Sequence, residues 1–260
     1  MSSLNFLNKK PQISIITVSF NSVITIRDTI ESIISQDYNN LEYIIIDAGS
    51  NDGTLDIIKE YEEHISYFIS EADNGIYDGM NKGIAAAKGD IIGILNSDDF
   101  YPNSFIISNV ASTFVKEKCD AVYGDLVYVK FFDIDKIIRY WQSGEYTVEK
   151  IKNGWMLPHP TFFVRRSVYE KYGLFNLNLG SAADYEIMLR FLLKQQSKVV
   201  YIPEVLVHMR TGGESNVSIS NRLKANRNDR KAWDINGLRP HSWTILFKPL
   251  RKIGQWFLRK

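Results

Sequence analysis

An α/β fold, with a mostly parallel central sheet and helices on both faces, is what the first hundred residues predict. Three observations carry this expectation. Buried apolar runs alternate with segments of helical spacing, the loops between them are short, and two acidic clusters stand where strands end. Strand–helix alternation over short loops implies right-handed crossovers and parallel strands. Ligands of such sheets bind at the carboxyl ends of strands, so the position of the acidic clusters is the first functional clue.

The elements follow in order. Ile13 to Val18 is a β-branched run without a helical stripe and predicts a buried strand. Val23, Ile26, Ile30, Ile33 and Ile34 have helical spacing. Tyr43 to Ile46 is a second strand, closed by the turn-rich stretch Asp47 to Gly53. A helix is expected over Leu55–Tyr61, a strand over Ile65–Ile69, and a helix over Asp78–Ala87 that stops at Gly89. Ile91 to Leu95 is a fourth strand, ending in Asn96-Ser97-Asp98-Asp99. Further on, Ala121–Tyr123 and Leu126–Phe132 read as β-structure. A loop with Trp155 and Pro158-His159-Pro160 precedes a strand at Thr161–Val164, and Asp184–Leu193 reads as a buried helix. One domain is expected over 1–220, followed by a C-terminal extension over 221–260.

Composition excludes several function classes. The 260 residues carry 31 basic and 30 acidic side chains, net +1, so no global field favours nucleic acid. The single cysteine, Cys119, leaves no intramolecular disulfide and no cysteine-rich zinc site. The four histidines show no metal-ligand spacing. No signal-peptide core and no apolar run of about 18 residues is present, so a cytoplasmic chain that spans no membrane is expected.

Five groups of residues could carry chemistry. Asp98 and Asp99, adjacent at the end of an apolar strand, are costly unless a cation or donors neutralise them, and oxygen ligands suit magnesium or manganese. Alternatively, they cap a helix starting near Asn103. Asp47 could accept from a base N–H or a ribose hydroxyl, or could simply open an Asx turn. Within Glu71–Gly83, which contains Asp73, three glycines would let backbone approach a ligand and Lys82 could offset phosphate charge; a loop with a helix cap is the rival reading. Asp184 could be a general base, or a first-turn carboxylate stabilised by its helix dipole. Glu186 would face another side of that helix and should tolerate Gln. His159, between two prolines, is a held and oriented side chain.

Taken together, these segments resemble the family 2 glycosyltransferases, whose nucleotide-sugar-binding fold is called GT-A. The matching stretches are Thr17–Asn21, Ile45–Thr54, Asn81–Gly83 with Ala87–Asp90, Leu95–Asp99, Pro160–Arg166 and Ala183–Glu186. Asp73–Gly83 and Gly212–Ser215 are similar to a subset near the colanic-acid-type polysaccharide transferases. The resemblance covers about residues 11 to 218.

It implies that Thr17 and Asp47 contact the nucleoside and that Asp73, Lys82 and His159 serve substrate binding. Asp99 would be the direct ligand of Mn2+ or Mg2+, with Asp98 shared between ribose and metal, and Asp184 would be the catalytic base. The family often has Asp where this chain has Asn96 and Ala48. The implied reaction is an inverting transfer from a nucleotide-diphospho-sugar, UDP-linked, to a hydroxyl of a glycan or lipid-linked saccharide in cell-surface polysaccharide biosynthesis. A nucleotidyltransferase and a non-catalytic nucleotide-sugar- or glycan-binding domain are the alternatives. Asp125, Trp155 and His159 are candidates for the acceptor loop.

From Arg239 onward, Arg239, Lys248, Arg251, Lys252, Arg259 and Lys260 interleave with Trp243, Leu246, Phe247, Leu250, Ile253, Trp256 and Phe257, without an acidic residue. That is the pattern of an interfacial helix on an anionic membrane surface, here the inner face of the cell membrane. A helix packed back on the domain is the alternative.

Overall fold

Alternation along the first strand sets up both cores. In β1 (Ile13–Ser19), Ile13 and Ile15 point to one face and Ile16 and Val18 to the other. The same division holds in β2 (Leu41–Asp47), with Tyr43 and Ile45 opposite Ile44 and Ile46. Both faces are therefore buried, and the runs read as continuously apolar rather than alternating. The computed structural model describes residues 10–212, 219–241 and 243–244.

Nine strands form one sheet in the order β3-β2-β1-β4-β8-β6-β9-β5. The remaining strands are β3 (Tyr67–Ser70), β4 (Ile91–Ile94), β5 (Asp99–Phe100), β6 (Ala121–Lys130), β7 (Asp133–Trp141), β8 (Phe163–Arg165) and β9 (Val199–Arg210); β7 pairs with β6 alone. β1, β2, β3 and β4 pair in parallel, as do β6 and β9, while β8, β5 and β7 run antiparallel to their neighbours.

On the face of Ile13 and Ile15 lie α1 (Ile26–Ile34), α2 (Thr54–Glu60) and α4 (Ile106–Glu117). On the other face lie α3 (Ile76–Ala86), α6 (Arg166–Tyr172), α7 (Ala183–Met188) and α8 (Ile219–Ile235); the short α5 (Val148–Lys152) adds Ile151 to that core. α7 runs on into a π-helical turn, Leu189–Lys194.

The expected elements form, with shifts of two or three residues at several ends. The hairpin strand β7, the long strand β9 and helix α8 are additions, and Ala121–Lys130 is one strand rather than two. Residue 220 is no break in packing. Ala232 and Trp233 of α8 are fully buried in the same core as α7, and Trp233 Nε1 donates to Tyr185 Oη at 3.0 Å. Asn236 reaches Glu186 Oε1 at 2.9 Å, so the domain extends at least to this residue.

Two of the three loop glycines serve the fold. A Cβ on Gly83 would lie 2.3 Å from Ile16 Cγ2, and one on Gly79 would lie 3.2 Å from Val18 Cγ1. They let α3 press onto β1. Gly75, at φ +105°, precedes the helix.

Among the described residues, no helix is long and apolar enough to cross a membrane. Most of the basic aromatic tail, residues 245–260, lies outside the described residues. At its start, Trp243 stacks on His241 and donates Nε1 to Asn153 Oδ1, and Thr244 donates to the Lys152 carbonyl.

Candidate active site

The carboxyl ends of β1, β2 and β4 are joined by hydrogen bonds between small polar side chains. Asp47 is the hub. It has no accessible surface, and its two oxygens accept from Ser19 Oγ, Ser50 Oγ, Ser70 Oγ and the amides of Gly49 and Ser50, at 2.6–3.0 Å. Burial pushes this carboxyl up, but the bonds from Ser50, Ser70 and Ser19 outweigh it and hold it below the ordinary value. The Asx turn is thus realised. Reading a base N–H would require exchanging one of these bonds, because a carboxylate offers about four lone-pair sites.

The network continues outward. Ser50 Oγ accepts the Asn21 amide at 2.8 Å, and Asn21, at φ +48°, accepts the Asn51 amide. Ser22 Oγ meets Ser97 Oγ at 2.7 Å, tying the β1 loop to the acidic segment. Phe20, at the end of β1, is 61% exposed and offers a flat ring at the sheet edge. Sequence reasoning missed it, because exposure cannot be read from a residue type. Thr17 lies on the α1 side of β1, fully buried, and accepts from Tyr43 Oη at 3.2 Å. Its side chain supports the strand and has no surface to offer a nucleoside.

The acidic segment is short of donors. Asn96 Oδ1 and both carboxylate oxygens of Asp99 are buried without a hydrogen bond, although the Asn96 side chain and the Arg210 amide lie close to Asp99. Burial, then the charge of Asp98, pushes the Asp99 carboxyl well above its ordinary value. Asp98 is raised by burial too, against opposing effects of its own amide and Arg210. Asp98 retains accessible surface whereas Asp99 has none. Of the pair, Asp98 is therefore the one that solvent reaches. The capping reading fails, because Asp99 enters β5 and α4 begins only at Ile106.

A second cluster gathers on the α3/α7 side. Asp184 sits in the first turn of α7, where its Oδ1 accepts the Tyr185 amide at 2.7 Å. Among the described residues no ion pair engages it. Its charge acts on Tyr77 of α3 and on His159: burial, then Asp184, raises the Tyr77 hydroxyl, and burial lowers His159 against the opposing pull of Asp184. Phe175 packs between the two, 5.4 Å from the Tyr77 ring and 5.6 Å from His159. Asn81 holds Phe175 at both backbone groups, donating to its carbonyl at 3.0 Å and accepting its amide at 2.9 Å. Tyr77 and Asn81 are therefore part of the site's frame.

Asp73 links the clusters. Its Oδ1 accepts the Gly75 amide at 2.8 Å ahead of α3, and Ala72 lies against Gly49 of the Asp47 turn. Lys82 is engaged by Glu71 at 2.8 Å and Asp78 at 3.8 Å. Asp125 is buried and accepts Tyr140 Oη, Tyr201 Oη and the Ser143 amide, so it braces the β6–β7 region and does not face an acceptor. Trp155 is partly buried and bonded to the Ser143 carbonyl. Glu186 is buried and accepts two bonds from Arg190 and one from Asn236, so its expected tolerance of Gln does not follow from its surroundings.

Comparisons with known proteins fit this geometry. A glycosyltransferase of Mycobacterium tuberculosis, itself uncharacterised, is 31% identical over 193 residues, spanning 72% of this chain and 71% of its own. A PGL/p-HBAD biosynthesis glycosyltransferase of Mycobacterium bovis is 26% identical over 184 residues, 69% of each chain. Among solved structures, S. aureus TarS 1–349 in complex with UDP-GlcNAc superposes with TM-score 0.71 at 18% identity, covering 93% of this chain and 72% of that one. The mannosyltransferase PcManGT from Pyrobaculum calidifontis, in complex with GDP-Man and Mn2+, gives TM-score 0.63 at 17% identity, covering 94% and 69%. These likenesses establish the GT-A fold. The sequence profile of glycosyl transferase family 2 matches residues 14–173, more than half of the chain, and includes the carboxyl ends of β1, β2 and β4. The chain belongs to glycosyl transferase family 2.

Proposed function

We propose that this glycosyltransferase is inverting and divalent-metal-dependent, and moves a sugar from a nucleotide-diphospho-sugar, UDP-linked, to a hydroxyl of a glycan or lipid-linked saccharide. The observation that carries the reading is a set of buried oxygens short of donors, Asn96 Oδ1 and both Asp99 oxygens, with only the Arg210 amide and the Asn96 side chain close to Asp99, behind the accessible Asp98. Buried acceptors are ordinarily satisfied, and an all-oxygen set lacking donors suits a hard cation. Among the described residues no group of three His, Cys, Asp or Glu could hold a metal. A site with two carboxylates that leaves room for substrate phosphates is the usual magnesium or manganese arrangement.

Asp98, backed by Asn96 and Asp99, would hold the ion. A bound Mn2+ or Mg2+ supplies charge neutralisation for a departing diphosphate. Phe20 would lie against the nucleobase, at the loop that Asp47 and Ser50 fix in place. Asp184 would take the proton of the acceptor hydroxyl as that oxygen attacks the anomeric carbon and the C–O bond to the diphosphate breaks. Burial keeps His159 neutral, so no imidazolium competes for the Asp184 charge. The two neighbours solved with UDP-GlcNAc and with GDP-Man and Mn2+ support a nucleotide-sugar donor.

The test combines donor binding with turnover. A thermal-shift panel of nucleotide sugars with Mn2+ should show stabilisation by the true donor, about 2.7 kcal/mol at a hundredfold excess over Kd. Turnover should release nucleoside diphosphate, whereas pyrophosphate would point to a nucleotidyltransferase. Asp184→Asn should keep donor Kd within a few-fold while kcat falls by roughly 10² to 10⁴. Near-wild-type turnover would remove Asp184 from the mechanism.

A further inference from the structure

The acidic loop is held by a residue that the proposed chemistry does not use. Arg210, the last residue of β9, is 3% exposed. Its Nη1 donates to the Asp98 carbonyl at 2.8 Å, its Nη2 pairs with Asp28 of α1, and its Cζ lies 5.0 Å from the centroid of the Phe100 ring. From the other side Thr29, next to Asp28, donates Oγ1 to the Asp99 carbonyl at 2.7 Å. Two consecutive carbonyls of the loop are thus gripped by side chains from two elements, and Asp28 closes the ring by anchoring the guanidinium.

The choice of partner is informative. A buried guanidinium beside two carboxylates would ordinarily form a bidentate pair with one of them. Here Nη2 is spent on Asp28 and Nη1 on the Asp98 carbonyl, and no ion pair joins the guanidinium to Asp98 or Asp99. The loop is fixed while its carboxylates are left open.

We infer that Arg210 is a positioning residue for divalent-cation binding, clamping the Asp98–Asp99 backbone together with Thr29. The inference rests on the reading of this loop as a cation site. It also has a sign of its own. A nearby positive charge that merely repelled the ion would, on removal, let Mn2+ bind more tightly. A clamp, on removal, lets the carboxylates wander and weakens binding.

The test is Mn2+ binding to the full chain without nucleotide, with free ion read by electron paramagnetic resonance and folding checked by melting. Arg210→Met should weaken Mn2+ binding about tenfold, the scale of one lost charged hydrogen bond. Arg210→Lys should fall between, because an ammonium keeps the charge but lacks the fork that spans two partners. Thr29→Val changes no charge and should weaken binding about threefold, one neutral hydrogen bond. Unchanged or tighter Mn2+ binding by Arg210→Met overturns the inference. Should that variant fail to fold, an unchanged Kd in Thr29→Val overturns it instead. Absence of Mn2+ binding by the wild-type protein would be a different failure, that of the cation site itself.

Discussion

Glu186→Gln separates stability from chemistry on a single helix. The carboxylate is 3% exposed and accepts Arg190 Nε at 3.1 Å, Arg190 Nη2 at 2.9 Å and Asn236 Nδ2 at 2.9 Å. Arg190, 14% exposed at its side chain, also donates to the carbonyls of Tyr172 and Leu174. Neutralising Glu186 therefore strands a guanidinium that its two carbonyl bonds hold in place, and loosens the seam between α7 and α8. Removing one partner of a buried pair costs about 3–5 kcal/mol. Gln keeps an amide oxygen for one of the donors, so roughly 2–3 kcal/mol is expected, which is roughly 5–10 °C in Tm for a chain of this size. Asp184→Asn, two residues away, without an ion pair and with oxygens that accept the next amide and lie beside the Tyr77 hydroxyl, should shift Tm by less than about 2 °C, because Asn serves a helix start as well as Asp and can still accept. Differential scanning calorimetry of both variants decides the matter. Equal melting temperatures for Glu186→Gln and wild type would refute the argument that this network ties α8 to the domain.

Three further outcomes follow from the polar groups at the strand ends and from the tail. Burial, then Asp98, raises Asp99, so its penalty is absent below the ordinary carboxylate pKa of about 3.9 and grows as pH rises toward the folded value; Asp99→Asn should melt higher than wild type in EDTA at neutral pH, with the gap closing near pH 4, and an unchanged Tm would count against it. Asp47 is the opposite case, since its lowered carboxyl contributes stability above the ordinary pKa that is lost as pH falls through the folded value; Asp47→Asn should lose urea resistance at pH 7 but little near pH 3, and an equal loss at both would exclude the charge as the cause. The tail from Arg239 onward should bind anionic vesicles at about 1 kcal/mol per basic residue, so a chain ending at Gly237 should no longer sediment with them, and equal sedimentation would leave the tail without a lipid role.

The parallel half of the sheet was legible because both of its faces are buried, which leaves continuous β-branched runs bounded by turn residues. The strand-end carboxylates were legible for the same reason, since a charge after such a run has few innocent explanations. What escaped was decided by partners distant in sequence. Strand β9 carries Glu204, His208 and Arg210 among its apolar residues, so period alone does not single it out. Helix α8 is rich in Asn, Arg and Lys, and among its described side chains the buried apolar ones are Ala232 and Trp233. Thr17 and Asp125 looked like site residues by type, and only their burial and bonded partners set them among the supporting side chains; Glu186 looked dispensable until its buried partners were seen. Arg210 carried no motif that would separate it from surface residues.

The two ends of the site are finished to different degrees, and that difference has a physical consequence. At the nucleoside end, Asp47, Ser19, Ser50, Ser70 and Asn21 satisfy one another through short neutral or charge-assisted bonds, and the loop is shaped before any ligand arrives. At the acidic end, the backbone is equally fixed by Arg210 and Thr29, but the Asn96 and Asp99 oxygens are left without donors. An unsatisfied buried acceptor costs about 1–3 kcal/mol, more when charged. On the proposed reading, a cation bound beside these oxygens would relieve that cost. The Ser22–Ser97 bond joins the two ends, which ties the Asp47 loop to the acidic segment. Under the proposed function, the nucleotide would dock on the rigid loop while the acidic segment takes the cation. Cutting that one link with Ser22→Ala should therefore weaken nucleotide-dependent Mn2+ binding by about one neutral hydrogen bond, several-fold in Kd, while leaving Mn2+ binding alone unchanged. Equal weakening with and without nucleotide would mean that Ser22 only supports the acidic loop, and that the two ends are not coupled through it.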